Sequence, residues 1–196
     1  MGQRDWDERY LQLAAHISGW SKDHKKVGAV LVRGNRIVGA GFNGLPSGVQ
    51  DDHSRLTDSL AKNAMVVHAE ENALLVAGDR ARGATLYVYG LPVCARCASS
   101  IIQAGVSEVI ARAPDQRFES LEEIYENLLK RETSENGDIN WQAMGALAIH
   151  MFKESRVKWF DSKLSGNAER FLEHLRSPPP ERRNGKDRRA FKLAAE

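Results

Sequence analysis

The hydrophobic and polar positions of this chain form short blocks that predict helices and strands in turn. Near the N-terminus, apolar side chains recur every three or four residues and predict an amphipathic helix: Trp6, Tyr10, Leu13, Ala14 and Ile17. Two β-branched runs, 27–32 and 36–40, flank Gly34-Asn35 and predict a β-hairpin. The following segment, 44–63, is polar and rich in turn residues, so we expect a loop with little regular structure.

The pattern after residue 67 predicts helices that alternate with strands. In chain order, we expect a helix over 68–78, a strand over 85–89, a helix over 94–103, a strand over 106–111, a helix over 121–130, a polar connector over 132–138, a helix over 141–152 and a strand over 157–160. This alternation favours a sheet with helices on its faces. We interpret Trp141, Ala148 and Phe152 as core side chains and not as base-stacking residues, because large apolar residues are usually buried.

The same pattern predicts one domain with an appendage. Residues 1–161 contain the predicted sheet and its helices, and residues 162–177 add a C-terminal extension that could be helical over 167–175. Pro178-Pro179-Pro180 stops that helix, and the arginine-rich segment 178–196 is predicted to be a flexible basic tail. We interpret the tail as a solvated terminus, with an arm that binds RNA, DNA or a protein partner as the alternative.

Composition and charge narrow the class of protein. Of the 196 residues, 42% are hydrophobic and 28% are charged, with a net charge of +2. This near-neutral balance argues against a long nucleic acid as ligand but is compatible with a small anion. No apolar run is long enough to span a membrane, and no N-terminal segment resembles a signal peptide. The two cysteines form a Cys-x-x-Cys pair and not a disulfide framework, so we expect a reducing, cytoplasmic setting.

Two short motifs carry the candidate chemistry: His68-Ala69-Glu70 and Pro92-Val93-Cys94-Ala95-Arg96-Cys97. One histidine and two thiolates suffice for a catalytic zinc, which keeps a fourth position open for water. Glu70 can point at that position without ligating the metal, as a proton carrier requires. We expect each ligand where a strand leads into a helix, because helix N-termini favour thiolates. The alternative, buried thiols and a core histidine, is disfavoured because both motifs occur together.

These two motifs resemble the signature of zinc deaminases that act on cytosine or adenine, which is His-x-Glu followed by Pro-Cys-x-x-Cys. Here Val93 stands between the proline and the first cysteine, which changes the turn that delivers Cys94. Wider blocks resemble the deoxycytidylate (dCMP) deaminase family from Trp6 to about Asp161. In chain order they are Ser21-Lys22-Asp23, Val27-Gly28-Ala29-Val30, Gly41-Phe42-Asn43-Gly44-Leu45-Pro46-Ser47-Gly48, Asp51-Asp52 and the segment 98–109.

The resemblance implies a three-layer α/β/α cytidine deaminase-like fold with a mixed five-stranded sheet, and a homo-oligomer. It implies an enzyme that holds one zinc per chain through His68, Cys94 and Cys97 and hydrolyses dCMP to dUMP and ammonia. Glu70 would move protons from the water to ring N3 and to the leaving amine. In regulated members, the glycine-rich block and its Asp-Asp also bind dCTP with Mg²⁺, so Mg²⁺ is expected only if that site exists.

The substrate contacts rest on weaker patterns. The resemblance makes Asn43 a contact to the sugar or base, with an ordinary Asn-Gly turn as the alternative. Ala69 is expected to border the substrate. Lys22, Lys25 and Lys26 precede the first strand and could face a 5′-phosphate or simply end a helix; Lys26 is the best candidate.

Two alternatives to a dCMP deaminase stay open at this point. The first is a zinc deaminase of another cytosine- or purine-containing substrate, such as a nucleoside, a free base, a nucleoside triphosphate or tRNA. The second is a relative that binds zinc without catalysis. Glu70 argues against the second, because a structural zinc takes four protein ligands and needs no such carboxylate.

Overall fold

The computed structural model describes residues 2–50, 52–57, 59–130 and 139–162. The predictions for 132–138 and for the tail 178–196 therefore lie outside the described residues, as does the predicted extension 162–177 except for Ser162. The elements are α1 (Gln3–Ser18), β1 (Gly28–Arg33), β2 (Arg36–Phe42), α2 (His53–Thr57), α3 (Ser59–Met65), α4 (Ala69–Ala77), a 3₁₀ turn (Gly78–Ala81), β3 (Thr85–Tyr89), α5 (Ala95–Gln103), β4 (Glu108–Ala111), α6 (Leu121–Leu129), α7 (Trp141–Glu154) and β5 (Lys158–Asp161).

The five strands form one mixed sheet in the order β2-β1-β3-β4-β5. Strand β1 runs antiparallel to β2 and β3, while β3, β4 and β5 are parallel to one another. The predicted hairpin joins β1 and β2, and Gly34 and Asn35 adopt φ values of 57° and 60°, as a tight hairpin turn requires. Strand β1 lies inside the sheet with both faces covered, which explains its continuous run of apolar residues.

Helices cover both faces of the sheet and give the predicted three layers. Helix α1 packs on one face, where Tyr10, Leu11 and Ile17 meet side chains of β1 and β3. Helices α4, α5 and α7 pack on the other face, and their small and apolar side chains share a core with Leu31 and Leu86. The sheet with helices on its faces, predicted from the alternating pattern, is confirmed, as is the three-layer arrangement with a mixed five-stranded sheet that the family resemblance implied.

The segment 44–63 differs from its prediction. It contains α2 and most of α3, where the polar composition predicted a loop. Leu56 within this segment and Val66 just after it are buried. Tertiary packing of a few apolar residues therefore outweighs the local turn preferences. Among the described helices, none combines the length and apolar character that a membrane span requires.

Helix α4 lies close to β2 because two glycines of that strand face it. A Cβ atom at Gly41 would lie 2.7 Å from the carbonyl oxygen of Ala69 and 2.7 Å from the amide nitrogen of Ala73. A Cβ at Gly39 would collide with the carbonyl oxygen of Ala73. The absence of a side chain at these positions lets the sheet set the position of the first turn of α4.

Candidate metal and substrate site

Three side chains from separate parts of the chain meet at one point. His68 Nδ1 lies 3.1 Å from Cys97 Sγ and 3.5 Å from Cys94 Sγ. The three donor atoms all lie within 4.8 Å of one another. One imidazole nitrogen and two sulfurs are the donor set that suits zinc. These residues could therefore hold a zinc ion and leave a fourth position for another ligand.

Two helix N-termini bring these donors together. His68 is the N-cap of α4, and its amide donates to the Glu71 carboxylate at 3.2 Å. Cys94 is the N-cap of α5, and its sulfur accepts a hydrogen bond from the Cys97 amide at 3.4 Å. An ion pair of 3.2 Å between Arg96 and Glu71 links the two first turns. The expected strand-to-helix junction is present at Cys94, but His68 follows α3 and a single β-bridge at Val67, so that part of the expectation was wrong.

Val93, the residue inserted before the first cysteine, is buried in the core beneath α5. Pro92 lines the cavity described below, and α7 packs against it at Gly145, where an added Cβ would lie 3.0 Å from Pro92 Cβ. The insertion therefore places an apolar side chain in the core and leaves Cys94 beside Cys97 and His68.

The three candidate metal-binding side chains and the neighbouring Glu70 shift one another's pKa values. Burial raises the pKa of Glu70 to about 7, against the opposing charge of His68. The contact with Cys97 lowers the pKa of Cys94 to about 4, and the same contact, with burial, raises the pKa of Cys97. Burial alone would lower the pKa of His68, but its hydrogen bond with Cys94 and the charge of Glu70 raise it. A carboxyl that titrates near neutrality can both accept and donate a proton.

A cavity of about 500 Å³ opens beside this cluster. Its walls combine charged, amide and apolar side chains, as expected for a site that binds a small molecule. The lining residues are Asp23, Lys25, Val27, Asn43, Lys62, Asn63, Val66, His68, Ala69, Glu70, Leu91, Pro92, Cys94, Ile139, Asn140, Trp141 and Gln142.

Asn43 and Ala69, both predicted to border the substrate, line this cavity. The Asn43 side chain is also held by the protein: its oxygen accepts from the Val27 amide at 2.8 Å, and its nitrogen donates to the Lys25 carbonyl at 2.9 Å and to Asp23 at 3.3 Å. Asn43 therefore fixes the loop before β1, and its contact with a sugar or base stays a prediction.

Lys26, the residue predicted to meet a phosphate, is not among the residues that line the cavity. Its ammonium donates to the Ser21 carbonyl at 2.7 Å and to the Gly19 carbonyl at 3.3 Å, beyond the C-terminal end of α1. Lys25 and Lys62 line the cavity in its place. Lys62 pairs with the buried carboxylate of Asp23 at 3.3 Å. Lys62 was not predicted as a site residue because 44–63 was expected to be a loop; the signal available there was the helical spacing of apolar residues.

Trp141 meets its prediction in part. Ala148 and Phe152 are buried in the core as expected, and Trp141 is partly buried and packs against that core, but it also lines the cavity. Its ring centroid lies 6.0 Å from that of His68, with the two planes inclined at 50°. Trp141 is the first residue of α7, and Asn140 caps this helix by accepting a bond from the Ala143 amide. The helix predicted over 141–152 is therefore present and begins at the expected residue.

Comparison with known proteins gives consistent matches. Residues 4–113 match the family described as the cytidine and deoxycytidylate deaminase zinc-binding region. The chain is 43% identical over 115 residues to an uncharacterized deaminase from the luxG 3′ region of Aliivibrio fischeri, covering 58% of this chain and 76% of that protein. It is 39% identical over 115 residues to the deoxycytidylate deaminase of Pongo abelii, covering 54% of this chain and 64% of that protein.

The fold is similar to a solved structure from a cyanophage. The dCMP deaminase of cyanophage S-TIM5, in complex with dCMP and dUMP, aligns with a TM-score of 0.54 at 23% identity. The alignment covers 82% of this chain and 98% of the phage protein. At this identity the similarity establishes the fold alone.

Proposed function

Because the chain belongs to the cytidine and deoxycytidylate deaminase zinc-binding family, we propose that it hydrolyses dCMP to dUMP and ammonia with one zinc ion per chain. One observation carries the proposal: the buried carboxyl of Glu70 and the donors His68 and Cys94 line one cavity, with Cys97 directly behind them. A homo-oligomer, control by dCTP with Mg²⁺ and a cytoplasmic location stay predictions.

His68, Cys94 and Cys97 hold the metal in this proposal. Zinc bound there supplies Lewis-acid activation of a water molecule, whose pKa falls from 15.7 toward about 7. The lowered pKa of Cys94 favours its thiolate, whereas Cys97, whose pKa is raised, would lose its proton on binding the metal. The N-terminal turns of α4 and α5 fix the direction of each ligand.

Glu70 is the proton carrier of the reaction. Water adds to C4 of the cytosine ring and the C4–N bond to the amine breaks, so protons must pass from the water to ring N3 and to the leaving amine. Glu70 borders the cavity two residues after His68, and burial raises its pKa, a shift that the positive charge of a bound metal would oppose. Glu70 can therefore accept the first proton and return it later in the same turnover.

The charged end of the cavity favours a nucleotide over a nucleoside. Lys25 and Lys62 line the wall that also contains Asp23 and Asn43, and a 5′-phosphate carries nearly two negative charges. A lysine ammonium is a strong donor to a phosphate oxygen. We therefore assign the phosphate to Lys25 and Lys62 and not to Lys26.

A substrate panel tests the proposal directly. Purified protein loaded with zinc is incubated with dCMP, CMP, dCTP, deoxycytidine and tRNA, and ammonia release and product absorbance are followed. We expect dCMP to have the highest kcat/KM. Glu70→Gln is the matched control, because it keeps the shape of the side chain. We expect this variant to retain zinc and to have a kcat about 10² to 10⁴ times lower than that of the wild type.

Two results would contradict the proposal in different ways. Equal kcat/KM for dCMP and deoxycytidine would remove the nucleotide assignment and leave a zinc deaminase. Ammonia release by Glu70→Gln at the wild-type rate would remove Glu70 from the mechanism.

A further inference from the structure

We propose that Trp141 is a base-binding residue, whose indole provides the π-face on which the substrate ring stacks. This inference rests on the proposed function, since it takes the ligand to contain a planar base. Trp141 lies beyond residues 4–113, the part of the chain that matches the family. The proposed stacking contact is therefore made by the C-terminal third of this chain, outside the segment that contains the zinc motifs.

The position of Trp141 is fixed by its neighbours along α7. The Gln142 side-chain oxygen accepts hydrogen bonds from the amides of Asp115 at 2.7 Å and Gln116 at 3.2 Å. One turn later, Gly145 packs against Pro92 and Pro114, where an added Cβ would lie 3.0 Å and 2.9 Å from their ring carbons. The start of α7 is thus tied to the loop that delivers Cys94 and to the segment after β4.

The composition of the cavity wall identifies Trp141 as the stacking surface. Val27, Val66, Leu91 and Ile139 supply aliphatic surface. Of the cavity-lining residues in the described ranges, Trp141 is the one with an indole. It stands beside the metal cluster, with its ring centroid 6.0 Å from that of His68. A base whose reacting carbon reaches the cluster would lie within contact distance of this indole, and aromatic side chains stack favourably on any nucleobase.

The first test measures binding without turnover. In the zinc-loaded Glu70→Gln protein, dCMP is titrated and tryptophan fluorescence is recorded. We expect quenching that disappears in the double variant Glu70→Gln/Trp141→Phe. Trp20→Phe in the same background is the matched control, because Trp20 is 59% exposed and does not line the cavity, and we expect it to retain the quenching.

The second test measures catalysis in the otherwise wild-type protein. Trp141→Leu keeps an apolar side chain but removes the π-face, and we expect kcat/KM for dCMP to fall about ten- to a hundredfold, mainly through KM. Trp141→Phe keeps a smaller aromatic face and should lose less. Zinc content and the melting temperature are measured for both variants, since a residue with only a structural role would lower the melting temperature without this graded change in KM.

Several outcomes separate the inference from the proposed function. Quenching that persists in Glu70→Gln/Trp141→Phe, or a kcat/KM of Trp141→Leu within twofold of wild type, would overturn the role of Trp141 alone. If Trp141→Leu does not fold, the fluorescence titration and the kcat/KM of Trp141→Phe determine whether Trp141 binds the base. A wild-type protein that deaminates deoxycytidine and not dCMP contradicts the proposed substrate, and the same variants are then compared with deoxycytidine.

Discussion

The two sides of the cavity are built from the chain in different ways. On the metal side, the donors and Glu70 come from the first turns of two short helices, within two motifs of three and six residues. On the proposed recognition side, Asp23, Lys25, Asn43, Lys62 and Trp141 come from four separate segments. Hydrogen bonds and one ion pair join the first four, and Trp141 is held separately through α7. The metal site is thus encoded locally, and the rest of the cavity wall depends on tertiary structure.

This difference predicts different responses to substitution. A metal site with three protein ligands fails when one is removed, because the remaining two bind the ion far more weakly. A recognition surface assembled from many side chains loses affinity in steps, and each step depends on which part of the substrate the side chain meets. The three predictions below test the contrast, starting with the largest effect.

Cys97→Ser should abolish both zinc binding and turnover. Cys97 is fully buried and its sulfur lies 3.1 Å from His68 Nδ1, so no other described side chain can replace it without rearrangement. Zinc content after dialysis against a weak chelator and ammonia release from dCMP measure the two effects. Ser99→Ala on the exposed face of the same helix is the control and should retain zinc. Full zinc stoichiometry in Cys97→Ser would disprove the ligand assignment.

Lys25→Gln should weaken dCMP turnover while leaving deoxycytidine turnover nearly unchanged. The expected loss in kcat/KM is about tenfold, because Lys25 is exposed and water screens part of its charge. Lys25 is a cleaner choice than Lys62, whose removal would also leave the buried Asp23 carboxylate without its ion-pair partner. The ratio of kcat/KM for the two substrates is the measurement.

The neighbouring lysine gives the matched control for this experiment. Lys26→Gln removes the same charge one residue away, from an ammonium that contacts the carbonyls of Gly19 and Ser21. We expect the ratio for dCMP and deoxycytidine to change less than twofold. The reverse result, with Lys26 sensitive and Lys25 insensitive, would restore the original prediction from the sequence and show that the cavity wall does not bind the phosphate.

The same contrast explains which features could be predicted from sequence. The helices that begin after His68 and Cys94 were predicted from apolar periodicity, which is a local property. The side chain of Lys62 enters the cavity only because α3 forms, and α3 occupies a segment whose polar residues predicted a loop. Trp141 has the composition of a core residue, and its position beside His68 depends on contacts with residues 92 and 114–116. Such distant contacts leave no periodic signal in the sequence.

Gly41→Ala should lower the stability of the fold, and it tests how the sheet supports the metal side. The added methyl group would lie 2.7 Å from the Ala69 carbonyl oxygen and the Ala73 amide nitrogen, which are backbone atoms of α4. Because these atoms can move only with the helix, we expect the free energy of unfolding to fall by about 1 to 3 kcal/mol. Gly44→Ala is the control: its added methyl would have an ordinary contact of 3.8 Å with the Phe42 ring. Denaturant unfolding of the zinc-loaded proteins measures both changes. Equal stability of Gly41→Ala and wild type would show that α4 can move away from β2 without cost, and that the first turn of α4 is not positioned by the sheet.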